Sequence, residues 1–462
     1  ILHLKPASNM NVSCPLSTLL EFCYIPVQIC FWDCNAHLVN VSIRGAQGMH
    51  CAIHIRGATV RMDGCCVQAG GAGHGCAAIK VDGGQKSRDI SVLEANDSSF
   101  HSSWVGLQVQ GGGRALLEGT WSDENAVSGW VVRDEYSSLK AQSCSASWNG
   151  HDNVQVLGGA KAEVVGSMVE ASEGRWGVAV TGARSYATLS VCSLNHNRKG
   201  GCLVRGGKVE LRGCECVVFN GSGLVVEGQG SSATASACWI SNSGSLEEYS
   251  VSALLGGEVV LWGCKCDMGL GCGLKASGAG STATASACSI SSNQRENLLV
   301  SDGAKADLDG CQCDHGRGYG VRATGIGSTA TTRACSITFG QGGNLLVSEG
   351  AKAEVDRCQC DYGKGAGLRA TGKGSTAKAS KCSFNSNEDG AVASQGGSVE
   401  LLGCRCDDNK GGGLIAEGQG SLATASAQCS ISSSRTRGKP PRQLAASSTI
   451  SRNRYNNVLA CR

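Results

Sequence analysis

Short runs of alternating apolar and polar residues recur along this chain, and glycine, asparagine and serine collect between them. Gly223-Leu224-Val225-Val226, Val209-Glu210-Leu211 and Cys214-Glu215-Cys216 each place small or apolar residues at i and i+2. That is the period of a strand with one buried face. Runs of three or four residues are too short for amphipathic helices, and the residues between them suit turns. Strands this short gain stability only by pairing with the equivalent strand one repeat further on.

The repeat is marked by one column of positions: Cys144, Cys192, Cys214, Cys238, Cys264, Cys288, Cys311, Cys335, Cys358, Cys382, Cys404 and Cys429. After the first gap, which Ser167 fills, neighbours lie 22 to 26 residues apart. Thr120 and Cys65 extend the column towards the N-terminus, with a longer irregular stretch between them. Alternate coils carry Cys-x-Cys, as in Gly-Cys-Lys-Cys at 263–266 and Gly-Cys-Gln-Cys at 310–313. The pair ahead of the column residue alternates in bulk: Ala233 and Ala235, then Val259 and Leu261, then Ala283 and Ala285. A narrow core filled to crystal-like density requires such compensation. The pattern predicts an all-β chain: a single-stranded right-handed parallel β-helix of roughly sixteen coils with three short strands per coil. Successive strands lie about 4.8 Å apart, so the coils stack over roughly 75 Å. The handedness follows from the crossover preference of parallel strands.

The expected segments are an N-terminal cap over 1–39, the β-helix over 40–430, a basic loop insertion over 431–447 and a partial last coil over 448–462. The last coil breaks off, which points to a monomer within a longer chain. Glycine stands at 67 of 462 residues, about twice its ordinary share, and is spent on regularly spaced turns. With 41 basic and 38 acidic residues the net charge is +3. That balance gives no reason to expect nucleic acid or a charged membrane surface as partner. The apolar stretch 16–32 contains Glu21 and Pro26 and falls short of the roughly 20 residues of a membrane helix.

The run Gly-Leu-x-Val/Ala, then Gly-x-Ala/Val-x-Ala/Leu, then Cys-x-Ile/Cys resembles the right-handed β-helix repeat over about residues 40–430. The repeat is that of pectate-lyase-like proteins, NosD-type periplasmic proteins and the substrate-binding region of an F-box β-helix protein. The resemblance implies the fold. For function it implies either a binding module or a polysaccharide lyase, hydrolase or epimerase, because one architecture hosts many activities.

The 28 cysteines admit three readings: a metal site, a disulfide framework and a ladder of buried thiols. The repeat favours the ladder. Cys216, Cys266, Cys313, Cys360 and Cys406 take the place of Ile240, Ile290, Ile337, Phe384 and Ile431 in the intervening coils, so the position is a core position. Two coils separate these second cysteines, about 9.6 Å, too far for a disulfide. Reduced buried thiols point to an intracellular, reducing compartment. Sequons at Asn11, Asn40, Asn96 and Asn220 pull weakly the other way.

Lyases of the resembling family use clustered acidic residues and an Arg or Lys base. Here Asp267, Asp314, Asp361 and Asp407 recur only in alternate coils, about 9.6 Å apart, too far to share a calcium ion. Each is expected to bond its own turn, and His315 is expected to be a variable turn residue. No catalytic residue, metal ligand or cofactor is assigned. The least regular stretch, about 100–180, offers a possible ligand surface at Trp104, Arg133, Asp134, Trp148, His151, Asp152 and Trp176. Exposed Trp beside charge suits stacking on a sugar or anchoring a protein. Trp130 is expected to replace an inward Leu. The leading expectation is a non-catalytic scaffold with a protein or carbohydrate partner on a lateral face. A polysaccharide lyase or glycoside hydrolase is the alternative, and the recruiting region of an F-box ubiquitin ligase the third.

Overall fold

The structure is a computed structural model that describes residues 2–4, 10–13, 28–45, 49–69, 76–83, 90–218, 220–242, 244, 247–426, 428–433 and 458–461. The chain is all-β, with stacked parallel strands forming a β-solenoid of about 16 turns and three strands per coil. It divides into two compact units, 1–225 with 230–234 and 226–229 with 235–462.

In the N-terminal unit the first side of each coil is a strand such as Val105–Gln110, Ser128–Arg133 or Trp176–Thr181. The second side is a five-residue strand such as Arg114–Glu118, Ser138–Gln142, Lys161–Val165 or Tyr186–Ser190. Each pairs in parallel register with its equivalent one coil on, so Leu107 meets Trp130, and Ala115 meets Leu139. The third side is shorter. It is a three-residue strand at Ser42–Arg44, Cys66–Gln68 and Ser99–His101, then narrows to single bridges at Trp121, Ser145, Met168 and Ser193. The ladders take in Ile29–Trp32 and Asn35–Val39 as well. The stretch 100–180, expected to be irregular, is built of regular coils.

The C-terminal unit repeats this plan, with first-side strands such as Tyr319–Thr324 and Gly343–Ser348 and second-side strands such as Lys305–Asp309 and Thr329–Arg333. Its alternation of bulk is met strand against strand: Val259 and Leu261 lie on Ala283 and Ala285, and Ala377 and Ala379 lie under Val399 and Leu401. All eight are buried. The basic segment 435–442 lies outside the described residues.

The column residue follows the corner between the second and third sides. The residue before it takes positive φ, as Gly263, Ala287 and Gly310 do. The cysteines there are buried free thiols, and they do more than fill space. The Cys335 N–H donates to Cys358 Sγ (3.4 Å) and the Cys358 N–H to Cys382 Sγ (3.4 Å), while Cys311 Sγ donates to the Ala285 carbonyl (3.2 Å). The sulfur therefore accepts a corner N–H that would otherwise be buried unpaired. This explains why hydroxyl residues hold the same place: Ser98 Oγ accepts from the Cys65 N–H (3.1 Å), and Ser167 Oγ from the Cys144 N–H (3.0 Å). Burial pushes the Cys144 thiol up to about 11 and holds Cys266, Cys313 and Cys360 well above the ordinary thiol range. The ionised form is the one that loses most on leaving water.

The third corner carries a buried asparagine ladder that the sequence reading did not single out. In the N-terminal unit Asn125 Nδ2 donates to Asn149 Oδ1 (3.0 Å), Asn149 Nδ2 to Asn153 Oδ1 (2.8 Å), and Asn153 Nδ2 to Asn197 Oδ1 (3.0 Å).

Candidate functional site

Because each side chain of the second side alternates inward and outward, its outward residues form straight rows across coils. In the N-terminal unit one row runs Arg114, Ser138, Lys161, Tyr186, and the next Leu116, Lys140, Glu163, Thr188. These rows floor a groove of about 1030 Å³, rimmed at the first corner by Glu135, Tyr136 and Arg184. Five cations line it, Arg114, Lys140, Lys161, Arg184 and Arg212, against two carboxylates, Glu135 and Glu163. Three of the cations are already paired: Arg184 with Glu135 at 2.6 Å, Lys140 with Glu163 at 3.2 Å and Arg212 with Glu210 at 2.7 Å. All three pairs reach solvent and are therefore weak. Arg114 and Lys161 have no ion-pair partner among the described residues. Tyr136 is 85% exposed. Hydrogen bonds from Tyr186 and Arg212 hold the Glu210 carboxyl below its usual range. A concave face with an excess of one sign concentrates ligands of the other.

The residues singled out from sequence do not form one site. Arg133 and Asp134 sit at the first corner, where Arg133 Nε donates to Gln110 Oε1 (2.9 Å) and Asp134 Oδ2 accepts from the Gly111 N–H (3.3 Å). The others lie along the third corner. Asp152 is buried and caps the next coil, accepting from the Trp176 N–H (3.0 Å) and from Gln155 (3.2 Å). Burial raises its carboxyl, and the Trp176 N–H opposes the shift. His151 is exposed and Trp148 is 62% exposed. Trp104 is half-buried against Cys51, Ala77 and Val105, and Trp176 packs over Gly200. Trp130 is fully buried in place of an inward Leu.

One turn reading is corrected in the C-terminal unit. The aspartates after Cys-x-Cys reach across to the next coil. Asp314 accepts from the Thr338 N–H (2.8 Å) and the Ser336 hydroxyl (3.0 Å), and Asp361 from the Asn385 N–H (2.6 Å), all one coil on. They tie coil to coil. His315 stands at a turn, and its ring has neighbours there. It shares a positive-φ corner position with Phe339 and Tyr362, and the three rings stack at 4.7 and 5.1 Å between centroids. Among the described residues no group of three His, Cys, Asp or Glu side chains is placed to share a metal ion, and no helix is long and apolar enough to cross a membrane.

The repeated coil, its inward ladders and its lateral faces define a β-helix protein. The sequence model of the right-handed β-helix region matches residues 176–294 and 273–433, more than half of the chain, and the chain belongs to that family. No curated protein matches it. Among solved structures it is similar to pectate lyase Pel9A, at 11% identity over 66% of this chain and 67% of that one, with a TM-score of 0.30. It is also similar to a tailspike mutant of E. coli bacteriophage HK620 in complex with a hexasaccharide, at 10% identity over 85% and 69%, with a TM-score of 0.32. A third is the A-module of an Azotobacter vinelandii mannuronan C-5 epimerase, at 13% identity over 93% and 91%, with a TM-score of 0.21. Likeness at this level carries no argument about ligand or chemistry.

Proposed function

We propose that this chain is a non-catalytic β-helix scaffold whose lateral groove in the N-terminal unit holds an extended acidic glycan. One observation carries the reading: Arg114 and Lys161, without ion-pair partners among the described residues, stand in one row of a groove lined by five cations and two carboxylates. A parallel ladder repeats this row from coil to coil, which suits a polymer with regularly spaced negative groups. Tyr136 and Tyr186 add apolar surface with a polar tip.

The test is calorimetric titration with polygalacturonate, alginate and neutral dextran. The acidic polymers bind and dextran does not, and added salt weakens the binding because the groove is exposed. Replacing Arg114 and Lys161 by Ala removes about 1–2 kcal/mol, roughly five- to thirtyfold in Kd. Unchanged binding in that double variant, or no binding of any acidic polymer, overturns the reading. Turnover of either polymer, with or without calcium, overturns the non-catalytic part and favours the lyase alternative. Binding of an acidic polypeptide in place of the glycans makes the partner a protein.

A further inference from the structure

The thiol ladder accounts for Cys65 but not for Cys66. Cys65 points inward and is buried. Its successor, on the strand Cys66–Gln68, points out of the third side and is half-buried. Parallel pairing sets Ser42, Cys66 and Ser99 in one outward row and Arg44, Gln68 and His101 in the next. Across these rows Cys66 Sγ lies 3.2 Å from His101 Nε2. Inward, Ile43, Val67 and Phe100 anchor the three strands in the core, so the pair stands on a fixed floor.

The surroundings favour charge separation. The hydroxyl residues Ser99 and Ser42, in register on either side of Cys66, favour its thiolate. The far nitrogen of the ring, Nδ1, has Ser102 Oγ at 3.2 Å and the Gln68 amide at 3.0 Å. A doubly protonated ring donates there to the serine oxygen, or to the amide oxygen once the amide turns. Asp123 and Glu124, on the following coil, act on His101 as negative charges. Arg44 stands two strands back, in register with Gln68.

We propose that Cys66 and His101 form a thiolate–imidazolium site on the outer face of the N-terminal unit, and that it reacts with low-molecular-weight disulfides. Cys66 Sγ attacks one sulfur of the disulfide. The S–S bond breaks, a new bond forms between Cys66 and the attacked sulfur, and the departing thiolate takes the proton from His101. Cys66 is oxidised to a mixed disulfide and half of the reagent is reduced to thiol, so the disulfide itself is the oxidant. Cys65 faces the core and donates to the Leu38 and Asp63 carbonyls, out of reach as a resolving thiol. The adduct therefore persists until an external thiol removes it, which makes the site a modification site and not a catalytic cycle.

Charge follows the geometry. The hydrogen bond from His101 lowers the Cys66 thiol, and the bond to Cys66 raises the His101 ring. Among the described residues Cys34 is the other cysteine that is not buried, and burial raises its thiol, so it serves as an internal control.

The experiment treats the whole folded chain with glutathione disulfide, and separately with iodoacetamide, between pH 6 and 9, and maps each cysteine by peptide mass. Cys66 is expected to react at least about tenfold faster than Cys34 at pH 6.5, as paired thiolates do. His101→Gln is expected to slow it about tenfold at pH 6.5 and little at pH 9, where the unpaired thiol ionises unaided. The wild-type rate–pH profile stands without any variant: a Cys66 rate that stays high down to pH 6 supports the site. A rate equal to that of Cys34, rising only near pH 8–9, overturns it, as does a His101→Gln chain that folds and reacts like wild type.

Discussion

The indole of Trp176 lies across Gly200, its in-register partner on the next coil, so closely that a Cβ on Gly200 would come within 2.2 Å of Cζ3. Gly200 also has a φ of 153°, where side chains are strained. Gly200→Ala is expected to destabilise the N-terminal unit by about 2–4 kcal/mol, combining overpacking and backbone strain. Adding Trp176→Ala should recover part of the loss, because the clash with the indole goes while the φ and the approach of the new Cβ to the Ser222 carbonyl oxygen (2.1 Å) remain. Thermal unfolding followed by circular dichroism measures both, and an additive double variant would contradict the contact.

Alkali should weaken the fold through the Cys144 thiol. Burial raises Cys144 to about 11 from an ordinary value of 9.0, so the folded thiol keeps its proton where the unfolded one has lost it. Its contribution is whole below about pH 9 and is lost as pH rises to about 11, on the order of 2–3 kcal/mol for this group. Unfolding midpoints between pH 7 and 11 test the slope, which Cys144→Ala should flatten.

Asp314 should matter as an acceptor and not as a charge or metal ligand. It receives the Thr338 N–H, the Thr338 hydroxyl (2.7 Å) and the Ser336 hydroxyl. Asp314→Ala leaves the buried N–H unpaired and should cost about 2–3 kcal/mol. Asp314→Asn keeps an oxygen in place and should cost less than half of that. Equal losses by thermal unfolding would contradict the coil-to-coil role.

Cys313 is fully buried at a position that holds Ile290 and Ile337 in neighbouring coils. Cys313→Ser puts a hydroxyl there and is expected to cost about 1–3 kcal/mol. Cys313→Ala removes only the sulfur and should cost no more than the serine. A serine variant as stable as wild type in chemical denaturation would place the side chain in a wetter site than its burial implies.

The sequence made the solenoid legible because its period-2 runs and its thiol column are local signals repeated many times. The inward Trp130 and the alternation of Val259 and Leu261 with alanines were read for the same reason. The corner chemistry was not legible. Asp314 bonds a residue 24 positions away, and His315, Phe339 and Tyr362 become neighbours only when coils stack. Trp148, Asp152 and Arg133 are close in sequence yet fall at different corners or in the interior. The groove has no motif at all. It emerges only when outward positions of the second strand are read down successive coils, as Arg114, Lys161 and Tyr186 are, and that requires the register. Cys66 was hidden by its neighbour Cys65, since only strand direction tells which of two adjacent cysteines faces out.

Residue-resolved alkylation of the folded chain tests most directly that parallel coils stack around a lining of buried thiols. Cys264, Cys288, Cys311, Cys335, Cys358 and Cys382 should resist iodoacetamide at neutral pH and become reactive together only when denaturant unfolds the C-terminal unit. Labelling of these six under native conditions, at rates matching the denatured chain, would contradict the account.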